Sequence, residues 1–233
     1  MRWRPSPNHD ERPPGAAVDL VVLHYTGMVS ARAALDRLRD PAARVSAHYL
    51  IDEDGTIVAM VPEIRRAWHA GVSWWRGRAG LNDVSLGIEL VNPGHEWGYR
   101  PFPEPQVKAL IDLALDVRRR WGVLADGIVA HSDVAPTRKE DPGELLDWER
   151  LARAGLGRWP ATAPPREPDT AEAARALSAI GYPLEPQGVP FAAALRAFQR
   201  RYRPAAVDGV LDAETMGRLV AVAALPIEGP RST

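Results

Sequence analysis

Apolar residues along this chain fall into short unbroken runs and into longer spaced series, and the two kinds alternate. The nearly continuous run VDLVVLHYTG (Val18–Gly27) closes on a glycine. Its length and branched residues predict a central strand buried on both faces. SLGIELVN (Ser85–Asn92) reads as a second such strand, and GIVAHSDV (Gly127–Val134) as a third that runs into a loop over 135–143. His48–Val61 reads as a hairpin, with two apolar arms around the turn Asp52–Gly55. Helical spacing appears over 30–39 behind Ser30 as N-cap, over 105–121, and again around 145–154. Residues 1–17 are polar and Pro-rich and predict an extended arm; 68–83, rich in Gly and Trp, predict a long loop.

Alternating strands and helices predict an α/β domain, with a central mixed β-sheet flanked by helices, over residues 1–157. Residues 158–169 hold four prolines, the composition of a linker. Residues 170–225 predict a small three-helix domain with helices at 170–180, 190–202 and 212–224, and a turn at Val207–Val210. The stretch 226–233 reads as a frayed tail.

Charge narrows the function classes. The 29 basic and 30 acidic residues leave a net charge of −1, with no basic footprint for nucleic acid. Arg118–Arg120 is read as a solvated helix end. The absence of cysteine excludes disulfides, thiol nucleophiles and thiolate metal sites, so any metal must be held by His, Asp or Glu. No stretch approaches the roughly 20 apolar residues of a membrane span. The first fifteen residues lack the apolar core of a secretory leader, so a cytoplasmic location is expected, with the periplasm or cell envelope as the alternative.

Six histidines remain as candidate chemistry: His9, His24, His48, His69, His95 and His131. His9 and His95 lie in polar, Pro- or Gly-flanked segments and read as surface residues. His24 and His131 each end an apolar run, VVLH and IVAH, and ligands gather at the carboxyl ends of strands in α/β sheets. Asp141 follows ten residues after His131, in a loop kinked by Pro136 and Pro142. Two histidines and a carboxylate would make a three-ligand zinc set with a fourth position for water. The residue types alone leave open whether these are ligands or ordinary buried and loop residues. Glu89 is a carboxylate inside an apolar strand; it either faces solvent or has a partner that offsets its burial. Lys139, two residues before Asp141, is either an ordinary loop lysine or a group placed to stabilise an oxyanion.

The segments VVLHYTG, VSAHYLIDEDGTI, RAWHAGVSWWRGRAGLNDVSLGIELVN and VAHSDVAPTRKEDPG together resemble the type 2 N-acetylmuramoyl-L-alanine amidases, over residues 18 to 148. The likeness is to the bacterial branch, whose third metal ligand is Asp rather than Cys. The resemblance implies a zinc groove on one face of the sheet, with His24, His131 and Asp141 as ligands. It also implies Glu89 and Lys139 at the reaction centre; His48 and His69 match family positions near the groove and are expected to line it for substrate, with structural roles as the alternative, and Trp68 is a further candidate for the substrate-binding wall. One position departs from the phage branch: its catalytic tyrosine is replaced here by Ala47, and the bacterial branch uses the glutamate matching Glu89. LRAFQRRY and VDGVLDAETMGRL resemble the small helical peptidoglycan-binding domain. The implied reaction is hydrolysis of the amide between N-acetylmuramic acid and L-alanine, in intact peptidoglycan or in a soluble anhydro-muropeptide. Trp68, Trp74 and Trp75 offer either flat surfaces for substrate or anchors for their loop. Two other readings stay open: a protein that binds peptidoglycan without cutting it, and a zinc peptidase acting within the stem peptide. The complete His24/His131/Asp141 set disfavours the first.

Overall fold

The computed structural model describes residues 1–185 and 187–226; the expected frayed tail, apart from Pro226, lies outside the described residues. The chain runs β1 (Arg2–Trp3), β2 (His9–Glu11), β3 (Leu20–Tyr25), α1 (Ala31–Arg39), β4 (Tyr49–Ile51), β5 (Ile57–Ala59), β6 (Arg65–Ala67), β7 (Trp74–Trp75) and β8 (Arg78–Ala79). It continues through β9 (Ser85–Leu90), α2 (Gly94–Trp97), α3 (Glu104–Trp121), β10 (Ile128–Ala130), α4 (His131–Val134) and α5 (Trp148–Arg153), and ends with α6 (Thr170–Ile180), α7 (Phe191–Tyr202) and α8 (Ala213–Ala223).

Six strands form one mixed sheet in the order β1-β5-β4-β9-β3-β10. The β4–β5 pair is antiparallel, as its hairpin turn requires, and the other pairs are parallel. One face carries Val21, Leu23, Leu86, Ile88 and Leu90 and is covered by α3 through Val107, Leu110, Leu113, Ala114 and Val117. These α3 positions repeat at the helical spacing of three and four, so one stripe of the helix is buried. Burying each large side chain contributes roughly 1.5–3 kcal/mol. The opposite face is shared. Leu50, Val58 and Met60 cluster with Ala34 and Leu38 of α1, whereas Leu20, Val22 and Val129 cluster with α6, α7 and α8.

The arm at the N-terminus departs from the expected extended coil. β1 pairs with β5 at the sheet edge, and β2 pairs with β6. Two- and three-residue strands are held by backbone bonds and leave no periodic signature in the side chains. The long loop 68–83 contains the β7–β8 ribbon, and the third central strand is shorter than expected because the chain turns into α4 at His131.

Residues 158–169 do not hang free between two bodies. Trp159 stacks on Tyr202 at 5.5 Å, and the Arg158 guanidinium donates to the Leu225 carbonyl at 3.0 Å. At Gly217 of α8 a Cβ would lie 2.0 Å from the Pro164 carbonyl oxygen, so the segment rests directly on that helix. The ring of Trp75 packs edge-on against Tyr182, 5.2 Å away, which ties the β7–β8 ribbon to the C-terminal helices.

Candidate metal centre and catalytic groove

Strand register brings the candidate groups together. His24 stands beside Glu89 in the parallel β3–β9 pair. Ala130 stands beside Leu23 in the β10–β3 pair, so His131 follows at the level of His24 on the same face as Val129 and Val22. The loop after α4 returns Asp141 to this point, where its carbonyl accepts the Ser132 N–H at 2.9 Å. His24, His131 and Asp141 are all buried. Their donor atoms form a tight triangle: His24 Nδ1 to His131 Nδ1 is 2.9 Å, His24 Nδ1 to Asp141 Oδ2 is 3.0 Å, and His131 Nδ1 to Asp141 Oδ2 is 2.9 Å. Among the described residues this is the cluster whose ligand atoms, all within 4.8 Å of one another, can hold a metal ion.

The surrounding hydrogen bonds assign the tautomers. Ser85 Oγ donates to the Leu81 carbonyl at 2.6 Å, so it accepts from His69 Nε2–H at 3.2 Å. His69 Nδ1 is then a bare acceptor, and His24 Nε2–H donates to it at 3.1 Å. His131 Nε2–H donates to the Ala70 carbonyl at 3.1 Å. Neutral imidazole carries one N–H, so both Nδ1 atoms present lone pairs to each other and to the Asp141 carboxylate. Three acceptors converge with no proton between them. That arrangement is repulsive unless a cation sits among them, and imidazole nitrogen with carboxylate oxygen is a common zinc donor set. The residues present fit a divalent metal.

Burial keeps His24, His48 and His69 neutral. It lowers His24 to about 4, assisted by His131, and His48 to about 3. His69 is pushed well below its ordinary value by burial and by the neighbouring imidazoles. Burial works against the Asp141 charge, and a proton or cation between it and the His131 and His24 nitrogens is what holds it ionised; with the tautomers above, that place falls to a cation. Unfolded histidine takes up a proton near pH 6.5. Between there and about pH 4 the unfolded chain therefore carries more protons than the folded one, and stability falls as pH is lowered. Each of the three rings contributes at most about 1.4 kcal/mol per pH unit. Glu89, raised, acts with the opposite sign: its contribution is present at low pH and is lost as pH rises. Urea titrations of the metal-free chain should give a clearly lower midpoint at pH 5 than at pH 7; equal midpoints would contradict the neutral-ring assignment.

A groove of about 440 Å³ opens over the triangle and is also lined by Glu89, Trp68, His69, Lys139, Arg37, Leu38 and Glu96. Glu89 Oε2 is buried without a hydrogen-bond partner. Burial and the nearby Asp141 charge hold this carboxyl well above its usual range, with Lys139 pulling the other way. Lys139 is half-buried in the loop between α4 and Asp141. Trp68 is half-buried, with the Arg44 guanidinium 5.6 Å over its ring.

This geometry corrects one expectation and decides one open alternative. His48 does not line the groove: its ring is fully buried, Nδ1 accepts the Gly87 N–H at 3.0 Å, and Nε2 bonds the Arg65 carbonyl at 3.1 Å. It braces β9 from inside. Trp75 is not a substrate surface, because it is buried against Tyr182. His95 is exposed, as expected, and bonds Tyr25 Oη at 2.9 Å, whereas His9 is only partly exposed and accepts from Arg65 Nε at 3.2 Å.

Gly87 carries a role that the sequence reading passed over. A Cβ there would lie 2.5 Å from His69 Cγ. Only glycine lets the imidazole sit flat on β9 and accept from His24; a glycine inside an apolar strand was the available signal. Gly87→Ala should displace His69, free the His24 tautomer and weaken metal binding about tenfold or more. Competition with a coloured chelator measures this, and unchanged affinity would remove His69 from the ligand-orienting chain. Arg12, in the polar arm, had no such signal; its guanidinium donates to the carbonyls of Glu63, Asn82, Asp83 and Ser85, pinning the start of β9.

Comparison with known proteins gives the family of the chain. The sequence profile of the N-acetylmuramoyl-L-alanine amidases matches residues 14–144, and that of a peptidoglycan binding domain matches residues 166–219. The N-acetylmuramoyl-L-alanine amidase AmiD of Escherichia coli is 38% identical over 222 residues, covering 85% of this chain and 79% of that protein. The AmiD structure in complex with the substrate anhydro-N-acetylmuramic acid-L-Ala-D-γ-Glu-L-Lys superposes with a TM-score of 0.79 at 36% identity, covering 91% of each chain. AmpDh3 of Pseudomonas aeruginosa superposes with a TM-score of 0.81 at 37% identity, covering 90% of this chain and 92% of the other. The profile match, the likeness to AmiD and the shared fold together place this chain: it belongs to the N-acetylmuramoyl-L-alanine amidase family.

Proposed function

We propose that this chain hydrolyses the amide joining the lactyl group of N-acetylmuramic acid to L-alanine, with zinc held by His24 Nδ1, His131 Nδ1 and Asp141 Oδ2. The observation that carries the reading is the convergence of three proton-free donors beneath a groove that also presents an unpartnered Glu89. When bound, zinc supplies a Lewis acid that polarises the amide carbonyl and lowers the pKa of water to about 7. Glu89 takes the proton from the attacking water and delivers it to the departing amine nitrogen; its dry surroundings make the carboxylate a stronger base than one in water. Lys139 offers its ammonium to the charge that develops on the carbonyl oxygen. Trp68 gives the substrate a flat wall, and His69 orients His24 while forming part of the groove. Residues 1–157 carry this chemistry, 158–169 connect, and 170–225 form the helical domain. The substrate class is a muropeptide, with the anhydro form held by the E. coli relative as the first to test.

Incubating the full chain with zinc and an anhydro-N-acetylmuramyl peptide, followed by mass spectrometry, is expected to release anhydro-N-acetylmuramic acid and a peptide with a free L-alanine amine. Binding without cleavage, or cleavage within the peptide, would each refute the proposal. Among the described residues no helix is long and apolar enough to cross a membrane.

A further inference from the structure

The one-turn helix α4 begins at His131, and its third residue is Asp133, which is fully buried. Asp133 Oδ2 accepts the Ala130 N–H at 2.9 Å and closes the first turn just before His131. The same oxygen accepts from Arg201 Nη1 at 2.8 Å, and Oδ1 accepts from Tyr182 Oη at 2.7 Å. Arg201 belongs to α7 and Tyr182 to the segment after α6, so the capping carboxylate is completed by the C-terminal unit. The Arg201 guanidinium also donates to the Ile128 carbonyl of β10 at 3.1 Å and lies 4.0 Å over the Trp148 ring. Its neighbour Arg200 reaches Glu140 at 2.7 Å, on the loop between Lys139 and Asp141.

A buried carboxylate facing a backbone N–H needs its remaining charge matched, because the desolvated ion is otherwise unfavourable. Without Arg201 and Tyr182, Asp133 would keep one of its three partners, the Ala130 N–H, with nothing fixing the carboxylate from the other side; it would rotate away and α4 would lose its cap. We infer that Arg201 and Tyr182 are positioning residues for His131. They act through Asp133, so the C-terminal helices are a structural part of the metal centre as well as an appended module. This rests on the metal reading proposed above.

The test uses the full chain and two readouts. Arg201→Met keeps an unbranched apolar stem and removes the guanidinium, along with its contact over Trp148; Tyr182→Phe removes a single O–H. Both should weaken zinc binding about tenfold in chelator competition, and Arg201→Lys should recover part of the loss. Hydrogen exchange of the metal-free protein should be faster over residues 131–135 in both variants. Leu177→Ala truncates a core side chain of the C-terminal unit and keeps the backbone carbonyl that accepts the Tyr182 N–H at 3.0 Å, so it controls for general destabilisation: it should lower the melting temperature and leave zinc affinity unchanged. Wild-type zinc affinity in Arg201→Met and Tyr182→Phe overturns the inference, as does an equal loss in Leu177→Ala. If the wild-type chain binds no zinc, it is the metal reading that fails, and the exchange comparison still decides the coupling: unchanged exchange in both variants overturns it, and faster exchange confined to α4 supports it.

Discussion

Replacing Glu89 with alanine is expected to lower muropeptide hydrolysis by about 10²–10⁴-fold, the range for loss of a positioned general base, while zinc stays bound. The direction follows from placement. Glu89 stands beside His24 in the β3–β9 register, outside the triangle of donor atoms, so its removal leaves the three proposed metal ligands intact. The Oε2 atom has no partner, and burial and Asp141 both disfavour its charge. Such a group costs the fold stability that function recovers. Glu89→Gln, which keeps the shape and removes the base, should therefore lose activity to a similar degree and melt at the wild-type temperature or above it. Turnover of both variants on anhydro-muropeptide, metal content and melting temperature check the three parts together. Near-normal turnover in either variant would end the assignment of Glu89 as the base.

The parts of this site that could be read in sequence are those written in local pattern. His24 and His131 stood out because each terminates an apolar run, and a polar residue at that place is seldom there for packing. Glu89 stood out as a carboxylate inside an apolar strand. What no local pattern carries is register: that His24 lies beside Glu89, and His131 one step beyond the Ala130–Leu23 pair, is decided by which strands become neighbours. His48 was misplaced for a related reason. Alternation puts it on the same face of the sheet as the site, but the ring of His69 fills the space above Gly87, and His48 ends up in the bonded interior. The three C-terminal helices, expected at 170–180, 190–202 and 212–224, were likewise legible. Their partner was not. A stripe shows that a helix face is buried and does not say against what; here it is the catalytic sheet itself. Arg201 carries no local signal in the sequence, and only the fold reveals that it is buried on Asp133.

Removal of metal should lower the melting temperature of the wild-type chain and leave that of Asp141→Asn nearly unchanged. Any ligand bound only by the folded state stabilises it by mass action, about 4.1 kcal/mol when its free concentration is 1,000 times the dissociation constant. For a chain of this size that corresponds to a shift of about 10 °C, from roughly 2–4 °C per kcal/mol. Asp141 is the single anionic donor among three, and its carboxylate touches both Nδ1 atoms at 3.0 and 2.9 Å. Asparagine fills the same space without the charge, leaving two neutral imidazoles to compensate a dication. Metal affinity should fall by more than the 10–100-fold typical of supporting residues, and hydrolysis should fall with it. Cysteine offers a different test at the same position, since thiolate restores the negative donor in another shape and is itself a zinc ligand. Asp141→Cys should therefore regain a metal-dependent rise in melting temperature that Asp141→Asn lacks. Scanning calorimetry of the three proteins, with zinc and with chelator, separates charge from shape. A wild-type melting temperature indifferent to zinc would dismiss the metal centre, and an Asp141→Asn variant that responds like wild type would dismiss Asp141 as its third ligand.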